Sequence, residues 1–119
     1  MSIVSWIFGR RLPTISTTHM AGIKTLVDSQ IHDNAVQMYS KSYCPYCKKA
    51  KALLDSMNIK YSVLELDQIE NGSEIQRYLK EKTSQTTVPN IFIHEQHIGG
   101  SDDLHAAKAN GRLEKLLKL

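Results

Sequence analysis

Ala35-Val36-Gln37-Met38-Tyr39-Ser40-Lys41-Ser42-Tyr43-Cys44-Pro45-Tyr46-Cys47-Lys48-Lys49-Ala50 is the stretch from which the fold is read. Residues 35–40 read as a strand, although Gln37 is an odd choice for a central one. Pro45 opens a helix, because proline's fixed φ and missing N–H suit the first helical position. Cys47, Ala50, Leu53, Leu54 and Met57 then recur at helical spacing and form its apolar face. Both cysteines of the chain therefore sit where a strand runs into a helix.

The pattern extends in both directions. Before the strand, Ile23, Leu26, Val27 and Ile31 share one face of a helix that Asn34 ends. After it, residues 60–66 form a second strand and Asn71-Gly72 turns the chain. Ser73 and Gln76 match a capping box ahead of Ile75 and Leu79. Residues 90–94 and 97–98 predict a hairpin, which Gly99-Gly100 ends. Ser101-Asp102-Asp103 begins another helix with acids at its positive end, and Asn110-Gly111 interrupts that helix. The expected class is α/β. A β-α-β crossover is parallel and right-handed, and the hairpin completes a four-stranded mixed sheet flanked by helices.

Residues 22–119 are expected to be this domain and residues 1–21 an N-terminal extension. The first acid is Asp28, whereas Arg10, Arg11, His19 and several serines and threonines precede it. Val4, Ile7 and Phe8 add a short amphipathic start. This composition fits a mitochondrial presequence or a disordered extension, and Met20 offers a second start site. Cytoplasmic and mitochondrial locations both follow as expectations. No apolar run approaches the ~20 residues of a membrane span. The net charge of +3 is too small to argue for nucleic acid. It is unevenly spread: Lys41, Lys48, Lys49 and Lys51 crowd together, and no acid lies between Asp33 and Asp55.

Cys44 lies just before the first helical residue, where free amide groups and the helix dipole favour an anion. A thiolate is the nucleophilic form of cysteine, and a helix N-terminus lowers its pKa from about 8.5. Nearby lysines act in the same direction. Cys47, one turn on and on the same side, can close a disulfide with Cys44 while shielded from outside attack. Two rival readings are weaker. A zinc site needs four ligands, and His94 and His97 would have to supply two from either side of a hairpin turn. A structural bridge between residues three apart closes almost no loop and adds little stability. Redox chemistry through Cys44 and Cys47, with no metal, is the expectation.

Cys44-Pro45-Tyr46-Cys47 between strand and helix, Thr87-Val88-Pro89-Asn90-Ile91-Phe92-Ile93, and Gly99-Gly100-Ser101-Asp102-Asp103 together resemble the dithiol glutaredoxins. Asn71-Gly72-Ser73-Glu74-Ile75-Gln76 adds a likeness to fungal members. The resemblance implies a thioredoxin fold with Pro89 in the cis form. It implies glutathione as co-substrate. Val88 would pair through its backbone with the cysteinyl part, Lys41 and Gln76 would bind the glycyl carboxylate, and Asp102 and Asp103 the γ-glutamyl end. Tyr46 and Thr87 would line the groove, and Pro89 belongs to the same glutathione-binding set. Partners implied are glutathionylated or disulfide-bonded proteins and, indirectly, glutathione reductase and NADPH, with the chain acting as a monomer. A [2Fe–2S] centre shared by two chains is the main rival, and Pro45 directly after the nucleophile argues against it.

Overall fold

The computed structural model describes residues 17–119. The expectation of a targeting or disordered segment therefore falls largely outside the described residues. Helix α1, Thr17–Asp33, starts five residues before the expected boundary at residue 22. Glycine costs a helix about 1 kcal/mol relative to alanine. Gly22 is nevertheless accommodated, because Ile23, Val27 and Ile31 on the same helix are buried.

The remaining strands and helices follow in the expected order: β1 Val36–Ser40, α2 Pro45–Ser56, β2 Ser62–Glu65, α3 Gly72–Thr83, β3 Asn90–Ile93, β4 Gln96–Gly99, α4 Ser101–Ala109 and α5 Arg112–Leu117; a 3-10 turn, Leu66–Gln68, takes the last residue of the expected second strand. The four strands are ordered β2-β1-β3-β4. β1 runs parallel to β2, with Met38 opposite Val63. It runs antiparallel to β3, with Met38 opposite Ile91. β3 and β4 form the hairpin, turning through His94 and Glu95, both with positive φ.

The sheet is covered on both faces, so β1 is buried along its whole length. On one face Val36, Met38, Ile91 and Ile93 pack with Ala50, Leu54, Leu104 and Leu113 of α2, α4 and α5. On the other, Tyr39 and Phe92 pack with Val27, Ile31, Ile75 and Leu79 of α1 and α3. Gln37 is buried in this central strand and is satisfied locally. Asn34 Nδ2 donates to its Oε1 at 3.1 Å, and Gln37 Nε2 donates to the Met38 carbonyl at 3.4 Å. Asn34 also donates to the Gln30 carbonyl at 2.9 Å, so one residue both ends α1 and partners the buried amide.

The capping box expected of Ser73 and Gln76 does not form. The helix starts earlier, with Asn71 at its N-cap, which leaves Ser73 inside the first turn. Gln76 instead donates through Nε2 to the Thr86 carbonyl at 3.0 Å. Gly72 is required here, since any Cβ would run into the Leu66 backbone carbonyl.

Candidate active site

Cys44 is the N-cap of α2, in extended backbone with φ −82° and ψ 119°. The Cys47 N–H donates to Cys44 Sγ at 3.4 Å, so the sulfur takes the place that a serine or aspartate oxygen holds at other helix starts. Pro45 at the first helical position has no N–H to satisfy. On its other side the Cys44 thiol faces the Val88 carbonyl at 3.7 Å. Val88-Pro89 is a cis peptide bond, as the resemblance implies.

Both cysteines are free thiols, Cys44 half-buried and Cys47 buried. Their surroundings separate their acidities. For Cys44, partial burial disfavours the thiolate, but the Cys47 amide and thiol, the Tyr46 amide and the Lys41 charge outweigh it, and the pKa falls below the ordinary cysteine value. Burial pushes the Cys47 thiol up, as do the hydrogen bond with Cys44 and that residue's charge, against smaller opposing effects from Ser40 and the Lys41 amide. The pair thus offers one reachable sulfur whose thiolate is favoured and one covered sulfur whose thiolate is disfavoured.

A cavity of about 430 Å³ adjoins the Cys44–Val88 contact, with Tyr46, Thr87, Val88, Pro89, Asp102 and Asp103 in its wall. Six of the eight expected glutathione-binding residues therefore meet in one place. Gln76 lies in a separate depression of about 280 Å³, with Ser73, Arg77, Lys80 and Thr86. Lys41 is outside both walls. Its carbonyl accepts the Cys44 N–H at 3.0 Å, and its charge acts on the Cys44 sulfur.

The acid pair stands at the start of α4. Asp103 Oδ2 accepts the Gly100 N–H at 2.9 Å and so caps the helix. Gly99 has φ +120°, and a Cβ there would strike the Asp103 carboxylate, so this approach requires glycine. Among the described residues no side-chain hydrogen bond ties Asp102, which is exposed.

Two supporting residues escape the sequence reading. Gln85 Nε2 donates to the Thr87 and Pro89 carbonyls, each at 2.9 Å, and braces the cis-proline segment. Asp67 reaches back from the 3-10 turn to the loop before Cys44. Its Oδ1 accepts the Ser42 N–H at 2.9 Å and its Oδ2 accepts the Ser42 hydroxyl. Asp67 is 25 residues from Ser42 in sequence, so no local spacing announces the contact. The histidines considered for zinc have other surroundings: His97 Nε2 lies 3.1 Å from Gln85 Oε1, and the His94 N–H donates to the Ala35 carbonyl at 2.8 Å. Among the described residues, no three His, Cys, Asp or Glu side chains are grouped to hold a metal ion. No helix among them is long and apolar enough to cross a membrane.

The family model described as glutaredoxin matches residues 36–98, from the first strand to the last. Glutaredoxin-1 of Rhizophagus irregularis is 58% identical over 98 residues, covering 82% of this chain and 97% of its own length. Glutaredoxin-2 of Schizosaccharomyces pombe is 49% identical over 94 residues, covering 79% of this chain and 86% of its own. Among solved structures, a buckwheat glutaredoxin–glutathione complex aligns with a TM-score of 0.83 at 34% identity, covering 87% of this chain and 94% of that one. A cysteine capping a helix beside a cis-proline, with this family match over more than half its length, makes the chain a member of the glutaredoxin family.

Proposed function

We propose that this glutathione-dependent thiol–disulfide oxidoreductase reduces protein–glutathione mixed disulfides and protein disulfides through Cys44, with Cys47 as resolving thiol. The observation that carries this reading is the Cys44 sulfur, held at the α2 N-terminus and facing the carbonyl of Val88, a residue of the cavity wall. The Cys44 thiolate attacks the glutathione sulfur. The bond between glutathione and the target breaks, the target sulfur leaves as thiolate and takes up a proton, and a Cys44–glutathione disulfide remains. A second glutathione thiolate attacks the glutathione sulfur of this adduct, which yields glutathione disulfide and returns Cys44 as thiolate. With a protein disulfide, Cys47 displaces the target from Cys44, and two glutathiones then reduce the Cys44–Cys47 bridge. Glutaredoxin potentials of about −200 to −230 mV let the glutathione pool drive both routes. NADPH, through glutathione reductase, restores that pool.

Glutathione carries two carboxylates and an ammonium around its thiol. The Val88 backbone pairs with its cysteinyl part in the manner of an added strand. Lys41 and Gln76 take the glycyl carboxylate, Asp102 and Asp103 the γ-glutamyl ammonium, and Tyr46, Thr87 and Pro89 form the wall. The buckwheat protein's complex with glutathione supports glutathione as the ligand. The chain acts as a monomer. The test is turnover of a small glutathione mixed disulfide coupled to glutathione reductase and NADPH. Cys44→Ser abolishes it and Cys47→Ser retains it; equal loss in both variants removes the division of labour.

The acid-free N-terminus supports a mitochondrial address, with Met20 as a start for a cytosolic form. Residues 1–22 fused to a reporter should carry it into mitochondria. A reporter left in the cytosol defeats that address.

A further inference from the structure

The start of α2 breaks a rule of helix electrostatics. Acids belong in a first helical turn, near the positive end of the dipole, and cations at the other end. The first turn of α2 holds no acid, and its last turn no basic residue. Lys48 and Lys49 instead occupy the end nearest Cys44, both exposed. Neither forms an ion pair among the described residues, whereas Lys51, two residues on, is bound to Glu65 at 2.5 Å. Lys49 is held in a definite place: its Nζ stands 5.3 Å from the centre of the Tyr46 ring, which lines the groove. Tyr46 is 55% exposed and Tyr43, on the other side of Cys44, is 67% exposed. Large aromatic rings left this open beside a nucleophile suit contact with another molecule. Lys41 is a cation whose charge lowers the Cys44 pKa, and the exposed Lys48 and Lys49 stand open to another molecule.

Resting on the function proposed above, we infer that Tyr43, Tyr46, Lys48 and Lys49 form a docking lip for the protein half of the mixed disulfide, selecting targets with acidic residues beside the glutathionylated cysteine. Charge complementarity determines the occupant. An acidic segment gains from Lys48 and Lys49 on the lip and is repelled by Asp102 and Asp103 across the groove. Target and glutathione are thereby sorted to opposite sides of Cys44. Such a field raises encounter rates for opposite charge and loses reach as salt shortens the Debye length from about 10 Å at 0.1 M to 3 Å at 1 M.

The experiment compares kcat/KM, in the glutathione-coupled assay, for three glutathionylated peptides whose cysteine is flanked by glutamates, by serines or by lysines. At low ionic strength the acidic peptide should be favoured over the basic one about tenfold or more. That ratio should fall to within about twofold near 1 M salt. Lys48→Glu with Lys49→Glu should bring the ratio to one or below. Because each ratio is taken within one enzyme, any change in Cys44 acidity cancels. The salt series on the unaltered protein keeps the test independent of how the double variant folds, and Lys48→Gln with Lys49→Gln gives a milder charge change. A ratio of one in the wild type, or a ratio untouched by either double variant, overturns the docking lip and leaves the oxidoreductase reading standing. Failure to turn over any glutathionylated peptide overturns both.

Discussion

At the scale of single residues, the two thiols show how position on one helix assigns chemistry. Cys44 accepts an amide hydrogen bond on its sulfur, whereas Cys47 is fully buried against the sheet. The lowered pKa of Cys44 means that its reactive form persists to lower pH than in a free thiol, and reactivity is lost as pH falls through that lowered value. Its alkylation rate, followed against pH, should therefore titrate below the free-cysteine value of about 8.5. Lys41→Ala should raise the midpoint by removing a charge that favours the thiolate. A midpoint at the free-thiol value would show that the helix start does not activate Cys44. Cys47 should alkylate far more slowly. One cause that pushes its thiol up is the neighbouring Cys44 charge, which vanishes once Cys44 is held in a disulfide. Burial, the largest cause holding the Cys47 thiol up, stays in place.

At the scale of elements, what was legible in the sequence was periodic or confined to one turn, and what escaped it was long-range. The strand–Pro45–helix junction, the order of elements and the hairpin all have local signals. The capping box did not survive, because a helix start is chosen by the whole turn: Asn71 takes the N-cap and Gly72 packs against the Leu66 carbonyl, leaving Gln76 free to reach Thr86. The Asp67 clamp on Ser42 joins the β1–α2 loop to the turn after β2 and has no signature in either segment. Asp67→Ala should speed amide exchange at Ser42 and lower catalytic efficiency modestly, about two- to fivefold, because the hydrogen bonds it removes are solvent-exposed. Asp67→Asn, which still offers an oxygen to the Ser42 N–H, should recover most of the loss; equal defects in both variants would point to charge and not to positioning.

A second long-range tie joins α1 to α3. Asp28 accepts from Lys24 at 2.9 Å and from the Tyr78 hydroxyl at 2.7 Å, and lies 3.3 Å from Lys82. Partial burial raises the Asp28 pKa, but these three partners outweigh it and leave the carboxyl below its ordinary value. Its contribution to stability is therefore present above the unfolded pKa of about 3.9 and lost as pH falls through the lower folded value. Asp28→Asn should cost about 1 kcal/mol near neutral pH, after allowance for solvent screening. Thermal melting should then drop by about 4–8 °C. The gap to wild type should close at acid pH; a gap that persists below pH 2 would assign the loss to packing.

For the whole molecule, the fold's contribution is to bring segments far apart in sequence around one sulfur with opposite charges at the two ends. Lys41 arrives from the end of β1, and Asp102 and Asp103 from the start of α4, where they share a cavity wall with Val88 and Pro89. The individual motifs were readable in the sequence, but their division was not: Gln76 proved to line a neighbouring depression, and Asp103 proved to be partly occupied in capping α4. That division decides which variants report on glutathione. Asp103→Ala would remove the helix cap together with any ligand contact, whereas the Asp102 side chain has no hydrogen bond to lose among the described residues, so Asp102→Asn is the cleaner probe at the acid end. Lys41→Ala probes the other end. A charge-assisted hydrogen bond is worth about 1.5–3 kcal/mol, and exposure places the effect at the lower end of that range. Each change should thus lower kcat/KM on a small glutathione mixed disulfide about tenfold, since 1.4 kcal/mol is a factor of ten. Compared at equal thiolate fraction, the same variants should attack a disulfide that lacks glutathione at nearly the wild-type rate, because nothing in that substrate engages either end of the groove. Equal losses on the two substrates would mean that these charges tune the Cys44 thiol and do not read glutathione.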